Sequence, residues 1–394
     1  MLPVQLAPGV HWAGTLDPQL RVFDIIMQAD HGTTYNAFLV QGEKTAVIET
    51  SKNRFATEYL DNLRYLVDLK KIDYVILNHM EPDHSGSLAK LLAETPQAQV
   101  VVSRTGEHFV KNILNRDVQP MKVGDGDSLD LGGKTLQFIH APFLHWPDSM
   151  FTFIPEDGIL MPCDFLGSHY CDDRLFDDLV DNFALSFRYY YQAIFRPFKP
   201  YVLSAIAKLQ GLDIKMVCPS HGPMLRTNPQ SYIGKYEVWS QLPSHGQDKN
   251  LMIFYASAYG NTAKMAEEIA RGAARPGLKV SLHDVLGAKI GILMDQIEVS
   301  DGILVGSPTI NGDAVEPIWQ LLSSLATLPL KGKIGGSFGS FGWSGEASKM
   351  IEDRLRSLKF KVPEAAVRAT LVPTEADLAA CREYGAKIAA AIIS

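Results

Sequence analysis

Hydrophobic positions follow two different rhythms along the chain. As far as Cys218, short β-rich runs dominate and break often. Thr34 to Val40 and Thr45 to Glu49 flank Gln41-Gly42-Glu43-Lys44, a hairpin connection by composition. Asn53 to Leu69 carries Phe55, Tyr59, Leu60, Leu63 and Leu66 at helical spacing, and the apolar run Tyr74 to Leu77 predicts a buried strand over Asp73 to Leu77, followed by a helix. Strands are expected over Ala98 to Ser103, Ser128 to Leu131, Lys134 to His140, Met150 to Ile154, Gly158 to Met161 and Lys215 to Cys218. Helices are expected over Gly106 to Leu114 and over Ser186 to Gln210, the latter interrupted around Pro197 and Pro200. Strands outnumber helices, which predicts an α/β domain with hairpins and not a simple doubly wound sheet.

From Leu251 the rhythm becomes regular. Strands over Leu251 to Tyr255, Lys279 to Asp284, Gly302 to Gly306, Lys333 to Phe338 and Val367 to Leu371 alternate with helices over Thr262 to Gly272, Pro317 to Leu325, Glu346 to Leu358 and Glu375 to Ile393. That order predicts an open, doubly wound parallel sheet. The polar, breaker-rich segment 243–250 is the expected linker, giving domains of residues 1–248 and 249–394.

Bulk composition narrows the class. At 394 residues the chain exceeds one ordinary core, and 46% hydrophobic with 21% charged residues excludes disorder. A formal net charge of -7 offers no electrostatic reason to bind nucleic acid or an anionic membrane. Met1 to Trp12 lacks a basic region followed by an apolar run, and no later run reaches membrane-spanning length, so a cytoplasmic protein is expected. Cys163, Cys171, Cys218 and Cys381 form no Cys-x-x-Cys pair, which excludes an iron site built on paired cysteine knuckles.

The chemistry concentrates in Asn78 to Gly86, reading Asn-His-Met-Glu-Pro-Asp-His-Ser-Gly directly after a predicted strand. A solvated loop accounts for Glu81 and Asp83, but not for His79 and His84 in the same turn. Metal binding accounts for all four. Further ligands are then expected at later strand ends, where His145, Asp164 and His221 are the candidates.

In the second domain, Ser257-Ala258-Tyr259-Gly260-Asn261-Thr262 joins the first strand to the first helix. Hydroxyls and backbone N–H groups at a helix N-terminus cradle a phosphate without any lysine or arginine. This suits the phosphate of flavin mononucleotide (FMN), whereas the loop matches neither common nucleotide-binding glycine pattern. Ser307-Pro308-Thr309-Ile310-Asn311-Gly312 and Gly339-Ser340-Phe341-Gly342-Trp343-Ser344-Gly345 follow the third and fourth strands, at the carboxyl ends where such sheets bind ligands. Their glycines admit a planar ring, and Trp343 offers it an aromatic face.

The order His79-x-Glu81-x-Asp83-His84, His145, Asp164, His221 resembles the metallo-β-lactamase-like fold, whose hydrolases usually carry histidine where this chain has Glu81. With Glu81, and with the segments Gly32-Thr33-Thr34-Tyr35-Asn36 and Leu144-His145-Trp146-Pro147-Asp148-Ser149-Met150, the chain resembles the flavodiiron proteins over nearly its whole length. The second-domain loops likewise resemble the phosphate loop and two ring-contacting loops of flavodoxin. The fold implied is an N-terminal metallo-β-lactamase-like αββα sandwich followed by a C-terminal flavodoxin-like doubly wound parallel sheet.

The resemblance further implies two non-haem irons. His79, Glu81 and His145 would hold one, and Asp83, His84 and His221 the other, with Asp164 bridging; the His84 position is one the family does not always use. A carboxylate among imidazoles suits iron, whereas zinc readily accepts histidine-rich sites. Within Tyr189-Tyr190-Tyr191, Tyr190 would face the gas pocket and its two neighbours would pack in the core. His31 and His169 are candidates to orient ligands. Where many relatives have a pocket histidine, this chain has Asp24, a departure that bears on gas preference. His11, His108, His140, His245 and His283 are expected to be surface or capping groups.

The activity implied is reduction of dioxygen to water, of nitric oxide to nitrous oxide, or both. Electrons would come through FMN from a separate rubredoxin or flavin reductase. A head-to-tail homodimer, or a dimer of dimers, is implied because in that family the flavin lies near the partner's iron site and far from its own. Two rivals are a hydrolase on the same fold, opposed by Glu81 and the second domain, and an electron carrier with an inert first half, opposed by the complete ligand set.

Overall fold

The computed structural model describes residues 1–241, 248–287 and 290–394. The chain divides into two compact units, Met1–Gln241 and Leu242–Ser394. Of the expected linker, residues 243–247 lie outside the described residues, His245 among them.

In the first unit, strand alternation builds two facing sheets. One sheet has seven strands in the order Val4–Ala7, Val10–Trp12, Phe38–Gln41, Thr45–Ile48, Ile72–Leu77, Gln99–Ser103 and Met121–Val123. The other has five: Ser128–Asp130, Thr135–His140, Met150–Ile154, Ile159–Met161 and Met216–Val217. Because successive side chains point to opposite faces, Phe38, Val40, Ala46, Ile48 and Ile76 meet Phe138, Met150, Ile154 and Met161 between the sheets. Leu39, Val47, Val75 and Val102 point the other way, beneath Tyr59, Leu63, Leu91 and Val110 of helices Ala56–Leu66, Leu88–Glu94 and Gly106–Leu114. On the far side, Phe151, Phe153 and Leu160 pack under Phe187, Ile206 and Tyr236 of helices Ala184–Tyr190, Lys199–Leu209 and Pro229–Ser240. The result is an αββα sandwich.

The run expected as one strand over Thr34 to Val40 is two. Thr33–Tyr35 pairs with Thr15–Asp17, and only Phe38–Gln41 joins the large sheet. The break falls at Asn36, whose Nδ2 donates to the carbonyls of Pro219 and Gly222 at 2.7 and 2.9 Å while its Oδ1 accepts from Trp12 Nε1 at 2.8 Å. Those bonds tie the N-terminal strands to the loop that carries His221. The N-terminal strands and helix Pro229–Ser240 are additions to the sequence-based expectation. The helical stretch after Ala184 breaks at Tyr191–Phe195 and Arg196–Phe198, beside the two prolines.

The second unit is a five-stranded parallel sheet in the order Leu278–Asp284, Lys249–Tyr255, Gly302–Gly306, Ile334–Phe341 and Val367–Thr370. Helices Asn261–Ala273 and Glu375–Ile393 cover one face through Met265, Ile269, Tyr384 and Ile388. Glu316–Ser324, Glu346–Ser357 and Ile290–Val299 cover the other through Ile318, Leu322, Ile351 and Ile297. Among the described residues no helix is long and apolar enough to cross a membrane.

Asn36→Ala would leave the Trp12 indole and two buried carbonyls without partners, at about 1–3 kcal/mol for each group so stranded. A destabilisation of at least about 3 kcal/mol, the low end of that range for three groups, is expected in urea unfolding of the first unit, with the second unit's transition unmoved. A loss below about 0.5 kcal/mol, the scale of neutral surface changes, would contradict this role.

Candidate functional site

Strand direction brings the candidate ligands to one rim of the sandwich. Thr45–Ile48 and Ile72–Leu77 run parallel, as do Ile159–Met161 and Met216–Val217. Thr135–His140 and Ile159–Met161 each pair antiparallel with Met150–Ile154, so they point the same way. The segments that follow these strands carry His79 to His84, His145, Asp164 and His221. Pro82 opens the one-turn helix Pro82–Ser85, which turns Asp83 and His84 inward while Glu81 stays at its N-cap.

Asp164 lies between two groups of side chains. Its Oδ2 is 3.6 Å from His79 Nε2 and 3.8 Å from His145 Nε2, and both imidazoles also meet Glu81 Oε2, at 3.2 and 3.0 Å. Its Oδ1 is 3.3 Å from His84 Nε2 and 3.4 Å from His221 Nε2, and these face Asp83, at 3.4 and 3.0 Å. Ligand atoms about 2.0–2.2 Å from a common ion stand roughly 3 Å apart, so each group has the spacing of a metal-ligand set. Both oxygens of Asp83 and Nε2 of His84 are buried without a hydrogen-bond partner, and a cation between them would satisfy all three. The donor set therefore fits metal ions on either side of Asp164.

A second layer aims these groups. His221 Nδ1 donates to the Thr34 carbonyl at 2.6 Å, which leaves the Nε2 lone pair towards Asp83. His79 Nδ1 faces Asp148 Oδ1 at 3.4 Å, and the other oxygen of Asp148 accepts the Met80 N–H at 2.8 Å. Tyr190 donates its hydroxyl to Asp164 Oδ1 at 2.9 Å. Gly167 makes room for that tyrosine, since a Cβ there would lie 3.1 Å from its ring. Burial draws His79 down, but its bonds to Asp148 and Glu81 and the surrounding carboxylates leave it raised to about 10. Burial likewise pushes Asp164 up, yet the imidazoles of His84, His79 and His221 hold it well below the usual carboxylate range. A metal ion would take over the charge that protons on these imidazoles supply.

Around the rim, Asp24 sits on left-handed backbone (φ 46°) at the solvent edge. Desolvation raises its carboxyl to about 6, helped by the charges of Glu81 and Asp83 and a hydrogen bond with Glu81, and opposed by Lys52. His169 is buried, bonded through Nδ1 to Thr33 Oγ1 at 3.0 Å, and stacked on Phe23. His31 is exposed and packs on Tyr170 instead. Of the tyrosine run, Tyr190 and Tyr191 are buried, whereas Tyr189 is 39% exposed and accepts the Gln28 N–H, so it is not a core residue as expected. His140 bonds the Val123 carbonyl, His283 stacks on Phe254, and His108 is exposed. Asp148 and Thr34 lie within segments the sequence singled out, but their partners come from distant strands; a carboxylate three residues after His145 was the available signal.

In the second unit, Ser257–Thr262, Ser307–Gly312 and Ser340–Gly345 follow or end three adjacent parallel strands. Helix Asn261–Ala273 begins at Gly260, which has φ 81° and no side chain to cap it. Ser257 Oγ accepts the Ala263 N–H at 3.2 Å, and Thr262 Oγ1 lies 3.0 Å from Ser340 Oγ. The strand expected to end at Phe338 continues to Phe341, so Ser340 and Phe341 are strand residues and the loop proper is Gly342 to Gly345. Gly339 is the crossing point: a Cβ there would lie 2.1 Å from the Ser307 carbonyl oxygen. Thr309–Ile310 pairs with Asp313–Ala314 about Asn311 and Gly312, lifting that loop into a small hairpin next to Pro308. Tyr259 and Trp343, in the first and third of these loops, are 92% and 86% exposed.

The family model described as ODP family beta lactamase matches residues 33–222, and the flavodoxin model matches residues 253–385. The type A flavoprotein fprA of Rhodobacter capsulatus is 45% identical over 98% of this chain and 91% of its own. The flavo-diiron protein FprA2 of Clostridium acetobutylicum is 42% identical over the whole of both chains, and the nitric oxide reductase of Moorella thermoacetica 35% over 99% of each. Among solved structures, rubredoxin oxygen:oxidoreductase from Desulfovibrio gigas aligns with TM-score 0.72 and 31% identity over 99% of this chain and 98% of that one. The chain, a metallo-β-lactamase-like domain joined to a flavodoxin domain, belongs to the flavodiiron protein family.

Proposed function

We propose that this protein reduces dioxygen to water, nitric oxide to nitrous oxide, or both, at two irons held on either side of Asp164. His79, Glu81 and His145 would hold one iron and Asp83, His84 and His221 the other, and FMN would supply the electrons. The observation that carries this reading is the split environment of Asp164, one oxygen towards each ligand group. Relatives named as a nitric oxide reductase and as an oxygen oxidoreductase support the reaction class. Iron and flavin supply the redox chemistry when bound; the protein supplies placement, charge and exclusion of water.

The residues divide that work. Thr34 and Asp148 hold the His221 and His79 rings so that their Nε2 atoms converge on the carboxylates. Tyr190 draws one lone pair of Asp164 into a hydrogen bond and keeps the carboxylate from rotating. Phe23, Tyr35 and Tyr190 wall the Asp83 and His221 side with buried aromatic surface, which limits water. Glycine-lined loops at Ser257–Thr262, Ser307–Gly312 and Ser340–Gly345 receive the FMN phosphate and ring. An external donor such as rubredoxin or a flavin reductase feeds the flavin, and two chains pair head to tail.

Anaerobic reduction followed by separate dioxygen and nitric oxide consumption assays tests the activity. Consumption of neither gas by iron-loaded, flavin-loaded protein would refute it. Asp164→Ala is expected to lower iron content and to depress turnover by more than the roughly 10–100-fold that losing an outer-shell partner costs, with flavin content unchanged. Turnover equal to the parent's would remove Asp164 from its bridging role. Tyr190→Phe keeps the ring and deletes the bond to Asp164; a fall of about 10-fold in kcat with iron content retained is expected, and an unchanged kcat for both gases would show the hydroxyl to be idle.

A further inference from the structure

Behind the proposed ligands lies a second buried cluster that the reading above does not use. Glu49 follows strand Thr45–Ile48, is 1% exposed, and sits on left-handed backbone at φ 63°. Its N–H donates to the Ile76 carbonyl at 2.9 Å and its own carbonyl accepts the Tyr59 hydroxyl at 3.1 Å. One carboxylate oxygen, Oε1, accepts the N–H of Asn78 at 2.9 Å, at the root of the ligand loop. The other, Oε2, is buried with no hydrogen-bond partner. A carboxylate oxygen of Glu49, Cys163 Sγ and a ring nitrogen of His84 lie within 4.8 Å of one another.

This cluster meets His84 from behind. Cys163 Sγ lies 3.9 Å from His84 Nδ1, while His84 Nε2 faces Asp83 and Asp164 on the opposite side of the ring. Thr50, the residue after Glu49, clamps the His84 carbonyl through its N–H, at 2.9 Å, and through its hydroxyl. His79 and His221 are each backed at Nδ1 by an oxygen, from Asp148 and from Thr34. For His84 the atom nearest Nδ1 is Cys163 Sγ, and a carboxylate oxygen of Glu49 lies within 4.8 Å of that sulfur and of the ring.

We propose that Glu49 is the positioning residue of His84: its buried carboxylate, anchored by the Asn78 N–H, backs the ring beside Cys163, aims Nε2 between Asp83 and Asp164, and makes His84 a metal ligand in this chain. A ligating histidine characteristically gives its second nitrogen to a carboxylate or carbonyl, which orients the ring and strengthens it as a donor. The same carboxylate joins the end of one central strand to the loop leaving its neighbour, so the ring is referenced to the sheet. This inference rests on the two-iron reading.

The test is iron affinity of the full-length protein by chelator competition, with the spectrum of the cobalt-substituted protein as a second readout. Glu49→Gln keeps an oxygen for the Asn78 N–H but removes the carboxylate. It is expected to weaken retention of one of the two irons by roughly 10–100-fold and to shift the cobalt bands as His84→Ala does. In a His84→Ala background, Glu49→Gln should cause no further loss. Parent-like affinity and spectrum in Glu49→Gln, or a full additional loss in the double variant, would overturn the proposal. Glu49→Asp, which withdraws the carboxylate while keeping its charge, serves if the glutamine variant misfolds, with flavin content and thermal unfolding checking both. If the parent binds no iron, the two-iron reading fails and takes this proposal with it; if the parent binds two and the variants match it, only this proposal fails.

Discussion

Everything in the first unit depends on the placement of one buried carboxylate, Asp164, between two groups of imidazoles and acids. Burying Glu81, Asp83 and Asp164 together is unfavourable, because each loses solvation and each repels the others. The four imidazoles offset part of that cost through close ion pairs, yet the oxygens of Asp83 remain without hydrogen-bond partners. Three orphaned atoms of Asp83 and His84 facing one another among buried carboxylates make an incomplete electrostatic arrangement, which divalent or trivalent cations would complete.

The fold supplies the rigidity that such a cluster needs. Two sheets, each packed on both faces, send five strands towards one rim, and the alternation of Ile48, Ile76 and Met161 inward with Val47, Val75 and Leu160 outward locks their register. A slip of one residue would turn every one of those side chains over. Cross-ties then join the two sheets at the rim: Met150 N–H to the Asn78 carbonyl, Thr152 hydroxyl to Asn78 Oδ1, and Asn36 to the loop before His221. The second unit follows a different logic, with glycine-containing loops gathered where parallel strands end and with no lysine or arginine in the Ser257–Thr262 loop.

Much of this was legible in the sequence because the chemistry sits immediately after apolar runs. His79 to His84 follow Tyr74–Leu77, and Asp164 and His221 follow their strands within a few residues, so strand ends and ligand types coincide in the text of the chain. Glu81 is the residue that turns the sequence reading towards iron within a fold whose hydrolases favour histidine. What was not legible is the layer behind the ligands. Thr34 and Asp148 meet their histidines across the fold, Glu49 meets the loop leaving the neighbouring strand, and nothing local distinguishes Glu49 from a solvated residue at a strand end. Asn36 belongs to the Gly32-Thr33-Thr34-Tyr35-Asn36 motif, but its role in splitting Thr33–Tyr35 from Phe38–Gln41 depends on the distant loop at Pro219. The short N-terminal strands pair only because a long sheet edge is there to receive them.

The most direct measurement of the central claim is anomalous X-ray scattering from crystals of the protein, recorded on both sides of the iron absorption edge. The account predicts two iron peaks flanking the Asp164 carboxylate, one beside His79, Glu81 and His145 and the other beside Asp83, His84 and His221. A single peak, or peaks that appear at the zinc edge and not at the iron edge, would contradict it.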